Sequence, residues 1–257
     1  MINPKPCVFY DSWIMFKRCM LISTRNLETM IMSVVTPFFI MLLFSVVFGG
    51  ITDVGDINYI DFIISGIILQ SVAQGSQFAA INVSTDMTKG VMDRFRSMPI
   101  SKAAVLIGHA AASVLRNTVT AAVVLGTAFL IGFRSYGGPV DWLIAIGIFM
   151  LYIIAISWVS IFFGLISRSP ESTTGYLFPF FILPFLSSGF APTYSLPRAV
   201  RWFAQHQPMS PIIDSTRALM LGWPTGNSIW LAIAWCVGIS AVSFVAAVQL
   251  YKRKLTQ

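Results

Sequence analysis

Charge is what this sequence has least of. Only 11% of its 257 residues are Asp, Glu, Lys or Arg, against roughly 25% in a soluble domain. Two histidines and three cysteines complete the reactive side chains. Cys7, Cys19 and Cys236 are odd in number and far apart, which indicates neither a disulfide framework nor a metal site. No glycine-rich loop ending in Gly-Lys-Ser or Gly-Lys-Thr occurs, so the chain has no P-loop for ATP. Gly-x-Ser-x-Gly and His-Glu-x-x-His are missing too. Ser187 or Ser188 with His206 as base is the one hydrolase arrangement worth weighing. It fares poorly, because no acid is placed to orient the histidine and such serines usually serve helix packing.

Apolar length is what the sequence has in excess. It is 56% hydrophobic, with a mean hydropathy of +0.77. Uncharged runs cover 29–52, 62–85, 142–167, 172–197 and 218–251, each longer than the ~20 residues that cross a bilayer. A sixth, 117–133, extends back through a mildly polar stretch. None alternates as barrel strands do. The expected fold is an all-α polytopic membrane protein of six spans, near 30–50, 59–82, 104–132, 142–166, 172–190 and 228–250. An interfacial helix within 1–28 precedes this membrane domain of 29–257. The first 28 residues hold charges but no uninterrupted apolar core, which argues against a cleaved signal peptide.

Orientation follows from charge bias. With the N-terminus inside, twelve Lys and Arg fall in inner segments and four in outer ones, so both termini are expected in the cytoplasm. The formal net charge of +7 is then read as facing anionic lipid, with no nucleic-acid partner. Residues 8–26 read as an amphipathic helix in the membrane interface. Phe9, Trp13, Phe16 and Met20 share one face, and Asp11, Arg18 and Arg25 share another. Packing of that helix on a protein partner is the alternative.

The loops at 51–58, 133–141 and 167–171 are short turns, whereas 191–227 is long and patterned. Pro197 opens a short helix to about Gln205. Ser210 and Pro211 read as N-cap and first residue of a second, which Gly222 closes. Both are expected at the outer surface or dipping back into it.

Polar groups inside the spans form stripes. Gln70, Gln74 and Gln77 share a face of the second span and either hold helices together or line a translocation path. His109, Ser113, Arg116 and Thr120 share a face of the third. The clean apolar run starts only at Asn117, so Arg116 is expected near the inner boundary, snorkelling toward water, with an intramembrane function as the alternative. The fifth span carries Pro179 and Pro184 and sets Phe178, Phe181 and Phe185 on one face. That face is either a lipid-facing surface or a bent aromatic wall for an apolar substrate.

Between the second and third spans lies a charged island, Asp86 to Ala103, with Lys89, Arg94, Arg96 and Lys102 against Asp86 and Asp93. The second span can run on to about Thr88, where Gly90 weakens it. A short helix then fits Val91 to Met98, with Val91, Phe95 and Met98 on one face; Pro99 ends it and Ser101 caps the third span. It is either a solvated inner loop or a surface that a cytoplasmic partner grips.

From FRSMPISKAAVLIGHAAASVLRN through the long outer segment ending in STRALMLG, the chain resembles type-2 ABC exporter permeases, the daunorubicin-resistance group above all. The resemblance implies a half-transporter of a bacterial cytoplasmic membrane that pairs with a second permease, identical or homologous, and with two ATP-binding subunits. ATP and magnesium would sit on those partners, with no cofactor in this chain. It further implies that Val91, Met92, Asp93, Arg94, Phe95, Arg96 and Ser97 form the coupling helix, and that a drug-like or lipid-like compound is expelled. Export of a polysaccharide or teichoic-type polymer is the alternative within the class. A membrane-embedded enzyme or scaffold is the alternative outside it.

Overall fold

The computed structural model describes residues 8–25, 27–49, 57–90 and 102–256. The coupling segment Val91–Ser97 and the cap Ser101 therefore lie outside the described residues. Nine α-helices and a short 3-10 turn make up the described chain, with no strand among them. They are α1 Val8–Arg25, α2 Leu27–Phe48, α3 Tyr59–Thr88, α4 Lys102–Ile131, α5 Pro139–Ile166, α6 Pro170–Ile182, α7 Arg198–His206, α8 Met209–Leu221 and α9 Ser228–Thr256.

Local chemistry sets several ends. α3 runs to Thr88, and Gly90 follows at φ 65°. α5 starts with Pro139 at its first position, and Asp141 accepts from the Gly138 N–H at 2.9 Å. α6 starts behind Ser169, whose hydroxyl accepts from the Ser172 N–H. Gly222, at φ 70°, closes α8 in the left-handed conformation that favours glycine.

α3 is the axis of the bundle. It packs against α2, α4, α5, α6 and α8, and most of its 30 residues are buried. Ile63, Ile64, Ile67 and Ile68 meet Ile148, Ile153 and Ile156 of α5 and Ile212 and Ile213 of α8. A second cluster, at the other end of α3, joins Met15, Val83, Val105, Leu106, Ile161, Leu165 and Tyr251. Lipid is as apolar as these side chains, so close packing and interhelical hydrogen bonds, rather than exclusion of water, must hold the bundle. Encirclement also explains why α3 can carry Ser65, Gln70, Ser71, Ser76 and Ser84 at buried positions: they face protein, not lipid.

Among the described residues three helices are long and apolar enough to cross a membrane, Ala103–Ile131, Pro139–Ile166 and Ser228–Lys254, with a shorter apolar stretch at Val35–Phe48. The expected fifth span, 172–190, is not one helix. α6 stops at Ile182, and 183–190 continue as consecutive turns. Pro184 is the physical cause, since it has no N–H to donate and its ring crowds the preceding turn. The second outer helix starts at Met209, one residue before the expected cap. Ser210 thus lies in its first turn, where its hydroxyl donates to Ala204 O and accepts from the Ser188 N–H. α8 is buried along nearly its whole length, whereas of α7 only Ala204 is buried.

Candidate functional site

Residues 91–101 join α3 to α4 in the chain, and those two helices are anchored to each other and to α1 near their facing ends. The anchor is a charged clamp. The Arg18 guanidinium of α1 donates two hydrogen bonds to Asp86 of α3, at 2.7 and 2.8 Å. His109 of α4 places Nε2 3.2 Å from the same carboxylate. Its Nδ1 lies 3.5 Å from the Cys19 sulfur, again on α1. Asp86 and His109 are buried. Burial opposes ionisation of Asp86, but the Arg18 and His109 hydrogen bonds outweigh it and hold the carboxyl down to about 2.

α1 can reach α4 because Gly108 has no side chain. A Cβ there would stand 2.5 Å from the Met15 Cβ and 3.1 Å from the backbone between Met15 and Phe16. α1 consequently turns Asp11, Met15 and Cys19 onto the bundle and leaves Phe9, Tyr10, Trp13 and Ile14 exposed. Of its polar stripe Asp11 and Arg18 serve protein contact while Arg25 stays exposed, and Phe9 and Trp13 of the aromatic stripe are left for the surroundings. Nearby, Lys254 of α9 donates to Leu165 O at 2.6 Å, satisfying a carbonyl at the α5 C-terminus.

The third-span stripe is spent on neighbouring helices. Ser113 Oγ meets Ser157 Oγ of α5 at 2.9 Å. Asn117 donates to Ser76 Oγ at 2.7 Å. Thr120 is buried. Arg116 stands midway along α4, donates to the Gly75 carbonyl at 2.7 Å and lies over the Phe78 ring. α4 begins at Lys102, so residue 116 is about 21 Å along a helix rising 1.5 Å per residue.

Of the glutamine stripe, Gln70 is fully buried, with neither amide atom partnered among the described residues, while Gln74 and Gln77 are half-buried. The phenylalanine face is a ladder. Phe178, Phe181, Phe185 and Phe190 follow with centroids 6.4, 5.9 and 4.6 Å apart, and Phe44 of α2 stands 4.8 Å from Phe190.

At the opposite end of α3, Arg217 ties three elements. It donates to Phe62 O at 2.7 Å and to Ser188 O at 2.6 Å, and its guanidinium lies 3.8 Å above the Phe62 ring. Asp214 accepts from Ser188 Oγ at 2.6 Å and from Arg217 at 3.3 Å. Ser187 bonds Pro184 O, and His206 bonds Trp202 O, so neither serine is hydrogen-bonded to that histidine. Among the described residues no group of three or more His, Cys, Asp or Glu gathers where it could hold a metal ion.

Sequence reasoning missed the pairing of Arg18, Asp86, His109 and Cys19, and the roles of Asn117 and Arg217. A signal existed for the first: an acid and a histidine at the facing ends of two successive spans, and an arginine on the polar stripe of the preceding helix.

A family model described as ABC-2 type transporter matches residues 10–221, from α1 to the end of α8. A daunorubicin resistance ABC transporter permease protein of Streptomyces coeruleorubidus is 28% identical over 225 residues, covering 86% of this chain and 78% of its own. A probable doxorubicin resistance ABC transporter permease protein of Mycobacterium tuberculosis is 28% identical over 233 residues, covering 90% and 84%.

Proposed function

The chain belongs to the ABC-2 type transporter family, and from that premise we propose that it is the membrane-integral permease of an exporter driven by separate ATP-binding subunits. Two such subunits would carry the ATP and magnesium, and a second permease would complete the membrane part. The setting is a bacterial cytoplasmic membrane with both chain termini inside. The cargo is a drug-like, amphipathic or lipid-like compound, in keeping with the names of the relatives.

The observation that carries this reading is the clamp of Arg18, Asp86 and His109. It joins α1, α3 and α4 into one unit near the ends of α3 and α4 that residues 91–101 connect in the chain. A push on that segment by a motor closing on ATP would move three helices together. Transfer of energy then needs only a membrane dimer whose two states are biased differently by the two states of the motor. Val91 to Ser97 would be the gripped surface. The polar clusters beside α3 would be structural, and the Phe178–Phe190 ladder a wall along which an apolar cargo moves.

Two measurements test the proposal. Purification in mild detergent should bring down a P-loop ATPase, and its absence would favour the enzyme-or-scaffold reading. Replacing Arg94 and Phe95 together by alanine should abolish export while insertion and subunit assembly persist. Export at the original rate in that variant would overturn the coupling role.

A further inference from the structure

A groove of about 460 Å³ runs between the first half of α1 and the first half of α4. Val8, Phe9, Trp13 and Phe16 line it from α1, and Ile107 and Ala111 from α4. Ser12 is the one polar residue of the lining, and no charged side chain enters it. Trp13 and Phe16 build one wall, stacked with their centroids 5.2 Å apart. Phe9 is 86% exposed, which is apolar surface that water covers badly.

The groove continues as a track along α4. Ile107, Ala111, Leu115 and Val119 are all exposed and recur at every fourth residue. That row climbs about 18 Å at 1.5 Å per residue, close to the ~15 Å of one leaflet in a ~30 Å hydrocarbon core. A cation stands at its head. Lys17 is exposed, with Nζ 5.3 Å from the centre of the Trp13 ring, and has no carboxylate partner among the described residues. Arg18 beside it is committed to Asp86, two residues from the end of α3. Lys17 therefore lies toward the end of the bundle where α3 stops and α4 starts, and the row leads away from it.

We propose that this groove holds one anionic phospholipid of the leaflet on that side. Its phosphate would pair with Lys17, and one acyl chain would lie against Trp13 and Phe16 and along the row from Ile107 to Val119. An ammonium binds phosphate as a point charge, and a basic residue at a membrane surface favours acidic lipid. A chain of methylenes asks nothing of walls that offer almost no hydrogen bonds. The site stands on α1 and α4 alone and is independent of the export reading.

The test uses the full chain, with whatever subunits co-purify, delipidated in detergent and titrated with lipid under native mass spectrometry. The probe is dioleoyl phosphatidylglycerol. Dioleoyl phosphatidylcholine, with the same chains and no net charge, is the comparison. The first phosphatidylglycerol should bind about fivefold more tightly than the first phosphatidylcholine, as one basic residue at a membrane surface implies. Lys17→Gln should erase that preference. Arg25→Gln, exposed on the same helix but outside the groove, should keep it. Ala111→Phe, which fills the groove, should weaken both lipids several-fold. Equal affinities in the unaltered protein, a preference that survives Lys17→Gln or is lost in Arg25→Gln, or unchanged binding in Ala111→Phe would each overturn the site. So would a photoreactive side chain in place of Ile107 that captures a co-purifying subunit instead of lipid.

Discussion

Arg18 and Asp86 are 68 residues apart in the chain, yet meet through two parallel hydrogen bonds of 2.7 and 2.8 Å. A planar guanidinium holding both oxygens of a carboxylate fixes orientation as well as distance. His109 closes on the same carboxylate from α4. One acid thus takes its partners from two different helices beside the end of its own.

Asp86→Ala leaves Arg18 and His109 facing each other without a counter-ion. Breaking a buried pair of this kind costs about 3 kcal/mol, so the variant should melt lower and expose α1 to protease. Arg18→Lys keeps the charge but loses the fork, and should fall between the variant and the parent. Thermal unfolding and limited proteolysis in nanodiscs read both.

The clamp should tolerate neutral and mildly acidic conditions. The Asp86 carboxyl is held down to about 2, below its ordinary value near 3.9. A depressed acid contributes stability that is complete above the unfolded value and is lost as pH falls through the folded one. Protection of α1 from protease should therefore hold from pH 7 to about 5 and fade between about 4 and 2. Asp86→Asn should remove that dependence.

Gly108→Leu should dislodge α1 without touching any polar group, because even a Cβ would stand 2.5 Å from that of Met15. Overpacking typically costs about 1–3 kcal/mol. A cysteine pair bridging α1 and α4 should cross-link in the parent and fail in this variant. Efficient cross-linking in both would refute the close approach.

Arg217→Lys tests the opposite end. A lysine cannot serve Phe62 O and Ser188 O while lying flat on the Phe62 ring. Hydrogen exchange at 183–190 should accelerate about tenfold or more, as loss of one charge-assisted bond implies, with little change in α4.

Helix type and rough limits were legible because apolar run length and punctuation are local properties. Thr88, Gly90, Pro139 and Gly222 act where they stand. What escaped was partnership. A single helix shows how far the Arg116 side chain can reach, and not that the Gly75 carbonyl lies beside it. In the sequence Asp86 is one charge among six in the island, while its partners come from α1 and α4. The break at Ile182 was half visible, since Pro184 announced a bend. The groups that receive the freed carbonyls, Gln207 and Arg217, lay twenty or more residues downstream.

α6 has 13 residues, so at 1.5 Å per residue it rises about 20 Å, roughly a third less than the ~30 Å hydrocarbon core. Backbone turns through Ser187 and the side chains of Gln207, Arg217 and Tyr59 then share the carbonyls that follow it. Set in a bilayer, a segment of that length would leave part of the hydrocarbon thickness to be met by thinning of the lipid or by the turns that follow it. Acyl-chain length would then act as a mechanical variable, felt first where α6 gives way to turns.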